Sequence, residues 1–236
     1  MKIVQILWTL LVGAGLLACS SASVFVQTDK VEINTATLPD DSLQAFIAPF
    51  KKELAANMDR VIGYATEDLL RDRPESTLGN FVIDETENYL EENNWLEGNH
   101  YISIMNHGGL RSPISKGNIT VGDIYKLMPF DNTVVLVKLP GKEIVSIFNY
   151  LKKSGGEPTG GFQIDGDMVS LMNDEPFGDT LYVITTDYLA NGGDNMSFFK
   201  QSYESTDTGI FLREALIKRV EAMDTLRPVL DNRIKW

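Results

Sequence analysis

The chain is 236 residues long, with 21 Lys+Arg against 33 Asp+Glu and a formal net charge of −12. With 43% hydrophobic and 23% charged residues it has an ordinary globular composition. The acidic excess argues against a nucleic-acid polymer as partner, because such binding rests on Lys and Arg neutralising phosphates; a small nucleotide held by one or two Arg stays open. A single Cys leaves no internal disulfide and no thiolate metal cluster. Two histidines, His100 and His107, are too few for a zinc or di-metal centre built on several imidazoles.

Residues 1–18 read as an export signal, with Lys2 as the positive end and Ile3–Leu17 as the apolar run. That run is short for a bilayer span of about 20 residues. Leu16-Leu17-Ala18-Cys19 resembles a bacterial lipobox, which implies cleavage before Cys19 and lipid attachment to it. A plain secretory signal, or a short membrane anchor with an incidental Cys, is the alternative. Residues 19–38 would then form a tether with one early strand, and the domain an exported, membrane-anchored lipoprotein, periplasmic or at the cell surface.

No linker, repeat or low-complexity tract divides residues 39–236, which read as one domain. Leu43, Phe46, Ile47, Phe50, Leu54, Met58 and Val61 recur at helical spacing, with Asp40 or Asp41 as N-cap and Pro49 as a kink or the true start. A second helix is expected from Thr77 to about Asn93. Tyr101–Met105 reads as a strand entering a tight turn at Asn106-His107-Gly108-Gly109. Thr120-Val121-Gly122-Asp123 predicts a capping box that opens a helix to Met128. A strand over Thr133–Leu139 and a helix near Lys142–Lys153 follow. Further strands are expected around Gly161–Leu171 and Leu181–Thr186, and a last helical stripe over Gly209–Met223. Helices and strands are mixed throughout, so the fold class is α+β or mixed α/β.

In four segments glycines, prolines and polar residues interrupt apolar runs. They are Arg71–Asn80, with Arg73 and Glu75-Ser-Thr-Leu-Gly79-Asn80; Asn106-His-Gly-Gly-Leu-Arg111; Pro129-Phe130-Asp131-Asn132; and Asp187-Tyr188-Leu-Ala-Asn191-Gly-Gly-Asp194. In this order and spacing they resemble the C-terminal, substrate-binding domain of the 5′-nucleotidase/UDP-sugar hydrolase family, over roughly residues 45–225. The resemblance implies layered sheets flanked by helices and a nucleotide or nucleoside ligand. It also implies roles: Phe130 and Tyr188 would sandwich the base, and Asn106 would bond the base or ribose. Asp194 would accept from ribose hydroxyls, and Asn132 would bond the base or fix its loop. Gly108 would let backbone approach the ligand, Arg111 would face the phosphate, and Arg73, or Arg71 two residues before it, would add a second phosphate contact. His107 and Asp131 both stand where the family usually has Gly. The plain alternatives are core aromatics, a turn Asp bonding its own backbone, and a surface Arg.

In full-length members of that family a metallophosphoesterase domain supplies a two-metal centre. Its motifs are absent from this sequence, and two histidines could not build it. The expectation is therefore recognition without chemistry: no metal or other cofactor in this chain, and divalent metals only in a separately encoded metallophosphoesterase partner. A stand-alone nucleoside- or nucleotide-binding lipoprotein and a structural remnant are the competing expectations.

Overall fold

The computed structural model describes residues 40–236 except Glu97 and Asp174. The export signal, Cys19 and the tether with its early strand lie outside the described residues. The described residues divide into two units inside the first helix, α1 (Asp41–Met58), the second unit being Ile47–Trp236. The cleft that gathers the motifs belongs wholly to the second unit.

Helix α1 begins as expected, since the Asp40 carboxylate accepts from the backbone N–H of Ser42 (2.9 Å) and Leu43 (3.1 Å). It runs through Pro49, and none of its residues is buried. The stripe from Leu43 to Leu54 gives a helical period without a buried face. Val61, expected as the stripe's last member, instead opens β1 (Val61–Ala65) and is exposed.

Helix α2 (Thr77–Glu92) starts at Ser76, whose hydroxyl accepts from Gly79 N–H at 2.9 Å. Glu75 Oε1 accepts from Asn80 Nδ2 at 2.6 Å, and a Cβ on Gly79 would stand 3.2 Å from Pro158. The Glu75–Asn80 motif is thus spent on opening α2 and packing it closely. Strand β2 (Tyr101–Ile104) leads into the Asn106 turn, and β3 (Gly117–Thr120) leads into α3 (Val121–Leu127) through the expected Thr120/Asp123 capping box. Then come β4 (Thr133–Pro140), α4 (Ile144–Ser154), the short β5 (Thr159–Gly160) and a hairpin of β6 (Phe162–Asp165) and β7 (Met168–Leu171). Strand β8 (Thr180–Thr186) runs straight into the one-turn α5 (Asp187–Ala190). Strand β9 (Glu204–Phe211) precedes α6 (Leu212–Met223), and β10 (Thr225–Leu226) and β11 (Ile234–Lys235) finish the chain. The expected helix over Gly209–Met223 is corrected at its start: residues 209–211 are strand, and the helix begins at Leu212.

The strands form three sheets, in the orders β10-β1-β3, β11-β6-β7 and β5-β2-β8-β4-β9. The five-stranded sheet separates two apolar clusters. Val134, Leu136 and Ile184 face the cluster under α2, α3 and α6, while Val135, Val137, Leu139 and Val183 face the one under α4 and the hairpin. This is the period-two alternation of a strand covered on both faces.

That sheet positions the motifs. β2 and β8 run parallel, whereas β4 is antiparallel to β8, with Val134 opposite Thr186. The carboxyl ends of β2 and β8 therefore lie beside the amino end of β4. β9, antiparallel to β4 with Phe211 opposite Thr133, brings the start of α6 to the same end. Four segments far apart in sequence meet there.

Candidate functional site

At that end of the sheet lies a cleft of about 340 Å³, lined by Asn106, Gly108, Gly109, Arg111, Phe130, Asn132, Tyr188 and Asp194. Its size is at the lower end for small-molecule sites, which run from roughly 300 to 1,000 Å³. Seven of the eight ligand-facing residues expected from sequence are brought together here: Asn106, Gly108, Arg111, Phe130, Asn132, Tyr188 and Asp194. Arg73 does not line the cleft. Its guanidinium donates to the carbonyls of Ser154 and Gly156 and to Glu157 Oε1 (3.0 Å), so a buried acceptor set has claimed it. Arg71, the other candidate, donates to Leu110 O at 2.7 Å.

The Asn106–Arg111 turn leaves β2 as a single 3₁₀ turn. A Cβ on Gly109 would meet Asn106 Oδ1 at 2.7 Å, so this glycine is needed to keep the Asn106 side chain folded over its own turn. Glu157, only 5% exposed, accepts His107 N–H at 2.6 Å through the oxygen that Arg73 does not use. Burial, reinforced by the charges of Arg73 and Arg71, pushes the His107 imidazole below its ordinary value. Arg111 donates to Gly108 O at 3.1 Å and lies 6.0 Å from the centre of the Phe130 ring. Most of its five donors are left for an anionic or polar ligand.

Phe130 and Tyr188 expose 42% and 46% of their surface, although both sit among packed elements. An exposed Phe in a turn forgoes its burial energy, on the order of 2 kcal/mol. Tyr188 lies in α5, whose first turn is capped by Thr186. Its hydroxyl donates to Asp194 Oδ1 at 2.8 Å, and Asn106 Nδ2 donates to Asp194 Oδ2 at 2.6 Å. Both carboxylate oxygens keep further lone pairs for a ligand's hydroxyls. Asp194 sits in the left-handed region (φ 49°), as do Gly192 (φ 87°) and Asn195 (φ 62°). Strained backbone of this kind clusters at functional sites. Among the described residues no three His, Cys, Asp or Glu side chains converge as a metal centre requires. A two-metal centre does not fit the described residues.

Three residues not singled out in sequence hold this arrangement. Glu157 anchors the Asn106 turn. Tyr150 donates to Asp194 O at 3.1 Å, and burial together with the charges of Glu157 and Asp194 pushes its hydroxyl up to about 12. Arg213 grips the Phe130 loop. A carboxylate set between Gly156 and Pro158 was a readable hint for Glu157; nothing local marks Tyr150 or Arg213.

A family model described as 5′-nucleotidase, C-terminal domain, matches residues 61–201. The trifunctional nucleotide phosphoesterase protein YfkN of Bacillus subtilis is 28% identical over 89% of the chain, which spans 16% of that relative. A 5′-nucleotidase of Diplobatis ommata is 25% identical over 87% of the chain, which spans 42% of it. Among solved structures, the 5′-nucleotidase precursor of Thermus thermophilus superposes on 84% of the chain, and 43% of its own, with a TM-score of 0.67 at 26% identity. The chain therefore spans less than half the length of these relatives.

Proposed function

The chain belongs to the 5′-nucleotidase C-terminal domain family, and on that premise we propose that its cleft recognises a nucleoside or nucleotide. The observation that carries this reading is the convergence of two exposed aromatic rings, Phe130 and Tyr188, with a carboxylate held by two side-chain donors, Asp194, and a guanidinium that gives one bond to Gly108 O and keeps its other donors open, Arg111, in one cleft. The rings take the base, each stack contributing about 1–3 kcal/mol. Asp194 accepts from the ribose hydroxyls, Asn106 and Asn132 bond the polar edge of base or sugar, and Arg111 meets the phosphate side. After the cost of association, such a set supports affinities of roughly −4 to −8 kcal/mol, millimolar to micromolar.

The phosphoester chemistry is assigned to a separate metallophosphoesterase. Two histidines in the whole sequence and the lack of a convergent ligand set among the described residues support this division. Weak binding suits a half-site completed by a partner. The Leu16–Cys19 sequence supports an exported lipoprotein anchored through Cys19, and no helix among the described residues is long and apolar enough to cross a membrane.

Calorimetric titration of the full chain in detergent with adenosine, AMP and UDP-glucose tests the reading. Saturable binding that is weakened about tenfold or more, but still measurable, in Phe130→Ala and in Tyr188→Ala is expected. A folded chain that binds none of the three at millimolar concentration overturns the recognition role. Hydrolysis of AMP by the isolated, metal-supplemented chain overturns the division of labour.

A further inference from the structure

Arg213 is an unexpected residue where it stands. It occupies the first turn of α6, where a cation opposes the helix dipole, and it is only 8% exposed. Its Nε is buried without a hydrogen-bond partner. Helix stability and solvation both argue against an Arg here, so its placement has another cause.

Its hydrogen bonds and its ring stack all go to the segment that carries Phe130 or to the helix just before it, and its one other polar contact is a long one from Nε to Glu214 Oε1 at 4.0 Å. The guanidinium stacks on Tyr125 of α3, 4.1 Å from the ring centre. Nη1 donates to Phe130 O at 3.2 Å and, more weakly, to Met128 O at 3.4 Å; Nη2 donates to Asp131 Oδ1 at 2.7 Å. The neighbouring Leu212 N–H donates to Asn132 O at 2.9 Å, completing a row of attachments from residue 128 to residue 132. The Asp131 side chain is 78% exposed, so its ion pair alone contributes little. The bonds to backbone carbonyls, made from a buried, stacked fork, are the substantial part. They fix the loop backbone on both sides of Pro129 while leaving the Phe130 ring uncovered.

We infer that Arg213 is the positioning residue for the Phe130 wall of the cleft, holding the ring at stacking distance from the base without touching the ligand. The inference rests on the nucleoside reading proposed above. The same contacts account for Asp131 in place of a family Gly, since this position supplies the only carboxylate in the loop, which meets the second arm of the fork, Nη2.

A double-mutant cycle on adenosine affinity tests it, using the full chain and the variants Arg213→Gln, Phe130→Ala and the pair. Arg213→Gln is expected to weaken binding about five- to tenfold, the bulk of one stacking contact. In the Phe130→Ala background the same change should cost less than about twofold, because the ring it positions is gone. Additive losses, or an unchanged affinity in a folded Arg213→Gln protein, overturn the positioning role. If Arg213→Gln does not fold, Arg213→Lys keeps the charge and stem but cannot bridge the carbonyl and the carboxylate together. It should then show the same dependence on Phe130 at a smaller size, and additivity there overturns the inference equally. Should Phe130→Ala alone leave adenosine binding unchanged, the base-stacking reading falls first and the inference with it. A weakened Phe130→Ala beside an unaffected Arg213→Gln removes the positioning role alone.

Discussion

The two aromatic walls of the cleft are held by opposite means. Tyr188 is fixed through its side chain: the hydroxyl is tied to Asp194, Asp194 is tied to Asn106, and its backbone carbonyl is tied to Tyr150. Phe130 has no polar handle; its hydrogen-bonded anchors are all on the loop backbone, provided by Arg213 and by the bond from Leu212 N–H to Asn132 O, and its ring meets only the Arg111 guanidinium at 6.0 Å among the polar groups described. Besides the β4–β8 pairing behind them, a side-chain bond joins the two walls: Asp187 Oδ1, just before Tyr188, accepts Thr133 N–H at 3.2 Å. One wall thus ties its ring down at the hydroxyl, whereas the other leaves its ring without a hydrogen-bonded anchor. A rigid wall that also orients a carboxylate suits the invariant ribose, and a freer ring suits bases of different size.

The sharpest way to break this contrast is Gly193→Ala. A Cβ there would lie 2.5 Å from Tyr188 Cε1 and 2.6 Å from Tyr188 O, so the ring or the turn must move. Adenosine affinity should fall more than about tenfold, with a stability loss of about 1–3 kcal/mol readable as a lowered denaturant midpoint. Affinity unchanged within twofold would mean that the Tyr188 wall is not rigid.

Glu157→Ala comes next. It strands His107 N–H and part of the Arg73 fork, and the cost is about 2–4 kcal/mol of stability. Because the loosened turn carries Asn106, it should act on the Tyr188 side alone. Adding Tyr188→Phe then costs nothing further, while adding Phe130→Ala costs as much as it does in the parent. Equal sensitivity on both sides would show the walls to be one unit. A smaller effect is expected from Tyr188→Phe by itself. It removes one hydrogen bond and keeps the ring, for about 1 kcal/mol or roughly fivefold in affinity measured by calorimetry.

What could be read in the sequence was what is local. The Thr120/Asp123 capping box and the Thr77 start of α2 depend on residues three apart, and both appear where expected. The mixed α/β class followed from the same signals. β9 was not legible because most of it is exposed, leaving no apolar alternation, and its bulge opposite β4 and Gly209 at φ 69° break the pattern further. Ile210 packs against the core from the end of that strand, which is why the last helical stripe seemed to begin early. In the cleft, three of the four glycine- and proline-interrupted motifs fall on the loops that the sheet end gathers, since close backbone approach needs such residues locally. Arg73 was misplaced because its partner, Glu157, is 84 positions away. Arg213 was invisible because Asp131 is 82 positions away and the carbonyls it serves carry no sequence signature.

The comparison needs a perturbation that touches neither wall, and Glu87 on α2 provides one. Its Oε1 is buried without a hydrogen-bond partner, close under Gly160 of β5. Burial pushes its carboxyl up from 4.5 to about 7. The Ser103 hydroxyl and Arg233 offset this only in part, and the charges of Asp84 and Glu91 add to it. A carboxyl raised in the folded state favours the protonated native form. The native chain therefore binds more protons than the unfolded one between pH 4.5 and 7, and stability falls as pH rises through that window. The slope is at most about 1.4 kcal/mol per pH unit. Below pH 4.5 both states are protonated and the contribution is fully present; above about 7 it is gone. Glu87→Gln keeps a neutral group in the same place, so its urea midpoint should lose this component of the slope and exceed the parent's at pH 8. Adenosine affinity should not change in the variant at either pH, because α2 contributes no residue to the cleft. A shift in affinity that follows the same titration would mean that the sheet end transmits strain from β5 through β2 into the Asn106 turn. The contrast between the walls would then depend on the state of the core beneath them.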